Sequence, residues 1–161
     1  MSGLAAFWDW ALRAYALPDA APACLELQDS HRQSVPYLLW AAWAAAGGRA
    51  LPLETLRAGS LLAAGWEAAA TAHLRAARRG LKAPCEGMPD AVRLALRAEV
   101  KALELKAEQA LMQALEALAL PPASAPASAR EALERAIDAW SFPAPASAIE
   151  RLAQALSSGA P

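Results

Sequence analysis

The residues of this 161-residue chain with the most obvious chemical potential sit in one short stretch, Leu27-Gln28-Asp29-Ser30-His31-Arg32. A carboxylate beside an imidazole suits acid–base work, provided the two side chains come within hydrogen-bond reach. Asp29 and His31 stand two apart, so on a regular helix they do not face each other. They could line one pocket only if the helix ended between them, which Ser30 and the approaching Pro36 permit. The simpler reading is a capped helix end, with His31 hydrogen-bonded at the rim of the core. Metal chemistry is served less well. Cys24 and His31 share a helical face, but seven residues of helix separate them by roughly 10 Å, too far for one zinc ion. There is no Glu-x-x-His pair of the di-iron type, no Gly-rich phosphate loop, no G-x-S-x-G elbow and no H-E-x-x-H helix. No serine or cysteine is marked out as a nucleophile. We therefore expect no catalytic residue, no metal site and no cofactor, which leans against an enzyme.

Charge is the more informative feature. Arg75, Arg78, Arg79 and Lys82 gather at the end of one long helical pattern, and Arg93, Arg97 and Lys101 open the next. If the two helices form an antiparallel hairpin, all seven cations approach one end, opposed mainly by Glu86 and Asp90. A local positive patch on a chain of net charge −1 points to an anionic partner. An acidic protein surface fits better than nucleic acid, because no aromatic is interleaved with the arginines to stack on bases. The plainer alternative is a solvated face that keeps an alanine-rich bundle soluble.

The elements that must position these residues all read as helices. The stretch 34–48, SVPYLLWAAWAAAGG, carries no charge and is apolar around its circumference, so it must be buried on several sides. Ser34 suits its N-cap, Pro36 its first turn and Gly47-Gly48 its end. Before it, a helix over 4–16 presents a stripe of Leu4, Trp8, Ala11 and Tyr15, widened by Phe7 and Leu12. A second helix, capped by Asp19, places Cys24, Leu27 and His31 on one face with Leu25 alongside. After it, 54–80 carries the stripe Leu62, Trp66, Ala69, His73 and Leu74, in which Gly59 and Gly65 are weak points that could mark close helix contacts. The segment 82–89 is a connection. The pattern 90–118 repeats apolar residues at 96, 100, 103, 107, 111, 115 and 118, a bundle seam. Six tryptophans fill gaps that small alanines leave, each indole N–H needing a partner if buried.

The organisation expected is all-α: a compact helical bundle over 1–120 around the buried central helix, then 121–161 as a Pro/Ala/Ser linker with two short amphipathic helices. Folding back of these two onto the body is favoured, since helices this short are marginal alone. Ser128 with Glu131, and Ser147 with Glu150, fit the S-x-x-E capping box. No stretch is long enough to span a membrane. Two cysteines and no export signal suggest a cytoplasmic protein.

Five blocks in order, FWDWALRAY, ACLELQD, VPYLLWAAW, HLRAARRGLK and ALRAEVKALELKAEQ, resemble a family of short, all-helical proteins, mostly proteobacterial and known as a domain of unknown function. The resemblance covers roughly 7–118 and leaves the tail as an addition. It implies a compact cytoplasmic helical protein and carries over no activity or cofactor. The chain departs from the family pattern at His31-Arg32-Gln33-Ser34-Val35-Pro36, where a Gly/Asp/Asn-type turn is usual. The reading is a non-enzymatic helical interaction or adaptor protein with a basic contact surface. A small-molecule protein or enzyme with a pocket at Asp29 and His31 is the alternative. Nucleic-acid binding, which would show steep salt dependence, comes third.

Overall fold

The computed structural model describes residues 6–159, so the expected stripe residue Leu4 lies outside it. Its regular elements are all helices: α1 (Phe7–Tyr15), α2 (Ala20–His31), α3 (Val35–Ala46), α4 (Leu53–Trp66), a π-helical turn (Glu67–Thr71), α5 (Ala72–Gly80), α6 (Asp90–Leu118), α7 (Ala129–Asp138) and α8 (Ala146–Ser157). No described helix is long and apolar enough to cross a membrane.

The absence of charge in α3 is explained by its position. Every residue from Pro36 to Ala45 is buried, and Trp40 and Trp43 are 0% and 1% exposed. α1, α2, α4, α6 and α7 all pack against it. Phe7 lies against Trp43 with ring centroids 5.4 Å apart, and Tyr37 stacks on Trp140 of the α7–α8 connection at 5.2 Å. The Tyr37 hydroxyl lies 3.0 Å from the Leu56 carbonyl and 3.2 Å from that of Ala136, so its one proton is shared between α4 and α7. The Trp40 and Trp43 indole N–H groups are buried without partners among the described residues, contrary to the sequence expectation.

Two glycines make the packing around α3 possible. A Cβ on Gly59 would lie 2.6 Å from the Trp40 ring, so only glycine lets α4 cross there. Gly48 has φ +62°, and its carbonyl accepts from the Ala123 and Ser124 N–H groups at 3.0 and 3.2 Å. The Pro/Ala/Ser linker is thereby pinned to the end of α3. α7 packs on α3 and α8 on α2, and Leu133, Ile137, Ile149, Leu152 and Leu156 belong to the same core as Trp40.

Several local expectations are corrected. Asp19 and Ser34 make no side-chain cap bond; Asp19 instead takes a left-handed conformation, φ 65°. Ser128 accepts from Glu131 N–H at 3.4 Å, whereas α8 starts at Ala146 with Pro145 as N-cap, leaving Ser147 inside the helix. In α1 the core takes Phe7, Trp10, Ala11 and Ala14, while Leu12 and Tyr15 stay exposed. Along 54–80 the buried residues are Leu56, Gly59, Ser60, Ala63 and Thr71, while Ala69 and His73 face solvent. The π turn at Glu67–Thr71 acts only on the residues beyond it. One extra residue rotates the downstream helix by about 100°, and alanine on every side gives the core no means of choosing a face. In α6 the seam holds at Ala107, Leu111 and Leu115, but Leu96 and Leu103 are exposed and Arg93 and Glu104 are buried instead.

Candidate functional site

The rotation at the π turn directs Arg75 and Arg78 inward. There they meet Glu104 of α6. Arg78 Nε donates to Glu104 Oε2 at 2.5 Å and Nη2 to Oε1 at 3.4 Å, a two-point grip on a buried carboxylate. Arg75 is held more loosely, with Nε 3.6 Å from Glu104 and Nη2 3.8 Å from Glu108. No side-chain hydrogen bond ties it down among the described residues, so its donors remain for another acceptor.

This charged cluster closes one end of a cleft of about 800 Å³. One wall is α1 and α2, through Trp8, Leu12, Tyr15, Leu25 and Gln28. The other is α6, through Lys101, Leu105, Glu108 and Met112, and Val35, Pro36 and Leu39 of α3 lie between them. The α1 residues taken from the sequence as a core stripe are thus largely the cleft wall. Burial, with repulsion from Glu104, raises the pKa of the Glu108 carboxyl, and the Arg75 and Arg78 guanidiniums only partly oppose it. Burial likewise raises Glu67 in the π turn, offset by the nearby Ser34 hydroxyl and by Arg75. That hydroxyl forms no hydrogen bond of regular geometry, and the buried Thr71 hydroxyl is also unpartnered. π turns recur at functional sites, and this one lies beside the charged end of the cleft.

The seven cations singled out from the sequence do not form one surface. Arg75, Arg78 and Lys101 line the cleft. Arg79 leaves it to reach Asp29 at 3.1 Å, tying α5 to α2. Arg93 is buried and structural: Nη1 donates to the Leu81 and Lys82 carbonyls at 2.7 and 3.0 Å, and Nη2 to Asp90 at 2.8 Å. It serves as the missing cap of the α5 C-terminus, so a partner cannot reach it. Arg97 is half-buried with its Nε enclosed and unpartnered. Lys82 and Lys101 make no ion pair among the described residues. Even so, 72–106 carries eight cations (these seven and Lys106) against Glu86, Asp90, Glu99 and Glu104, on a chain of net charge −1.

Asp29 and His31 stay apart. α2 runs through both, so they keep different faces. The Gln28 amide and the Arg79 guanidinium hold the Asp29 carboxyl below its ordinary pKa. The turn beyond His31 is covered by the α7–α8 connection: Gln33 Nε2 donates to the Phe142 carbonyl at 2.7 Å, Trp140 Nε1 donates to Arg32 O at 2.9 Å, and Arg32 lies over the Phe142 ring at 4.1 Å. Neither residue lines the cleft. A smaller hollow of about 290 Å³ beside α7 includes Arg49 and Arg135, which are bonded to the Leu120 and Leu51 carbonyls.

Sequence reasoning missed Glu104 and Glu108 as partners of the arginines, and Leu12, Leu25 and Leu105 as a facing set. A signal for the leucines was present. Leu94, Ala98, Leu105 and Met112 form a second apolar stripe on α6, more than one bundle seam requires.

These features define a small all-α protein with an open amphipathic cleft between a charged helical hairpin and its first two helices. The chain belongs to the family described as "Protein of unknown function (DUF2390)", which matches residues 6–115 and so takes in both walls of the cleft. Comparisons with curated proteins and with solved structures give no match.

Proposed function

We propose that the protein is a non-enzymatic interaction module whose cleft receives an acidic amphipathic helix of a partner protein. The observation that carries this reading is the exposure of facing leucines: Leu12, Leu25 and Leu105 are 51%, 45% and 51% exposed, next to Arg75 and Lys101. A continuous apolar groove of this kind is costly to leave in water and marks a docking site more often than an accident of packing. A helix laid along it would insert residues spaced three and four apart between the walls. Its carboxylates would meet the loosely held Arg75 and the unpaired Lys101. The excess of cations along 72–106 would steer such a partner toward the groove.

The test is to replace Leu105 in the full chain with a photo-crosslinking phenylalanine derivative, irradiate cells that make the protein, and sequence the trapped peptide. The expected peptide has apolar residues three and four apart and an excess of Asp and Glu. The same derivative at the exposed Leu61 should trap no such segment. A basic segment, nucleic acid, or no adduct at Leu105 would refute the reading.

A further inference from the structure

α6 presents another apolar face, outside the cleft, that none of the described residues covers. Val92, Leu96 and Leu103 are 56%, 48% and 53% exposed. Together with the exposed Ala110 they fall within about 40° of one line along the helix, at 100° per residue. One flank of this line carries Glu99 and Lys106, both exposed and neither in an ion pair among the described residues. On the far edge Trp66, about one-third exposed, is fixed by its indole N–H donating to the Ala107 carbonyl at 2.8 Å.

We propose that this face pairs two copies of the chain, with their α6 helices antiparallel about a two-fold axis beside Leu103. The face is self-complementary in that arrangement. A two-fold axis perpendicular to two antiparallel helices maps each flank onto itself, so a flank must be its own partner. With the axis between 102 and 103, residue 99 of one copy meets residue 106 of the other. Glu99 then faces Lys106 of the second copy, and Lys106 faces its Glu99, giving two symmetry-related ion pairs. In the same register Leu103 packs across Leu103, and Leu96 reaches Ala110. A parallel pairing would set this flank against the opposite edge, at Val100 and Ala107, and leave both charges without a partner, and a cleft-type partner helix would find no field of one sign here. The face lies roughly 150° around α6 from Leu105, so the cleft stays open in the pair and this inference stands apart from the proposed function.

From 92 to 113 the face runs about 32 Å. A single helix pair of that length covers less than the roughly 800 Å² per partner of a standard interface, so a weak dimer is expected, with Kd on the order of 10 μM. Sedimentation equilibrium of the full chain from micromolar to submillimolar concentration, at low ionic strength, tests it. The native chain should dimerise, and L103D, at an exposed position, should remain folded by circular dichroism and monomeric. E99K and K106E should each weaken association roughly tenfold, while E99K/K106E, which restores opposite charges in the same register, should recover it. A native monomer throughout, a dimer indifferent to L103D, or a double variant no better than the singles would overturn the proposal.

Discussion

Two glycines of one core helix give opposite signs for the same substitution. Gly59 and Gly65 both lie inside α4. Replacing either with alanine gains about 1 kcal/mol of helix propensity, so their difference isolates packing. At Gly65 a new Cβ meets no atom of the described residues within 4 Å. At Gly59 it would lie 2.6 and 2.9 Å from two atoms of the Trp40 ring and 3.3 Å from Tyr37. Trp40 is fully enclosed, so the ring cannot swing away without displacing α3. Overpacking of this kind costs up to about 3 kcal/mol, leaving Gly59→Ala destabilised by about 2 kcal/mol and Gly65→Ala stabilised by about 1 kcal/mol. For a chain of this size each kcal/mol moves Tm by about 2–4 °C. Thermal and urea unfolding followed by circular dichroism should therefore place Gly65→Ala above the native protein and Gly59→Ala below it by about 4–8 °C. Trp40→Phe should shrink the loss caused by Gly59→Ala in a double-mutant cycle. A Gly59→Ala protein as stable as the native one would refute the placement of α4 on α3.

Three further outcomes rest on side-chain environments. Arg93→Ala removes the charged cap from the Leu81 and Lys82 carbonyls and should cost about 1.5–3 kcal/mol by urea titration; a neutral effect would remove Arg93 from its structural role. Burial pushes the Cys24 thiol up to about 12 whereas Cys85 is exposed, so the native chain should titrate one fast thiol with Ellman's reagent and two once unfolded. Because the Glu108 pKa is raised in the fold, the folded state holds that proton more tightly than the unfolded state, and the group costs stability as pH rises above its ordinary range near 4.5. Glu108→Gln should therefore raise Tm at pH 7.5 and leave it unchanged near pH 4; a lower Tm at pH 7.5 would mean that the Arg75 pairing outweighs burial.

The fold was readable from the sequence where side chains are large and unambiguous. An uncharged helix with Trp40 and Trp43 has only one stable place, at the centre. The faces of its neighbours were harder to read. Alanine supplies much of α1, α4, α5 and α6, and a helix flanked by alanine can turn through 100° at little cost. Phe7 of the expected face is in the core of α1, but Trp10 joins it in place of Tyr15, and a π turn that no propensity signals rotated α5. The cation-rich hairpin was visible as composition, but where each cation points depended on that rotation. Arg75 and Arg78 entered the cleft, Arg93 became a cap, and Arg79 became a tie to Asp29. The glutamates that decide this are Glu104 and Glu108, and charge alone does not reveal which helix lies opposite them.

The proposed function stands or falls on whether the leucine-lined cleft, rather than the outer surface, holds the partner helix. The direct measurement is calorimetric titration of a synthetic peptide, matching the segment trapped at position 105, into the native chain, Leu12→Asp, Leu105→Asp and Leu61→Asp. Affinity should fall at least tenfold for the two cleft variants and not at all for Leu61→Asp. Equal affinity across all four proteins would contradict a cleft-bound helix.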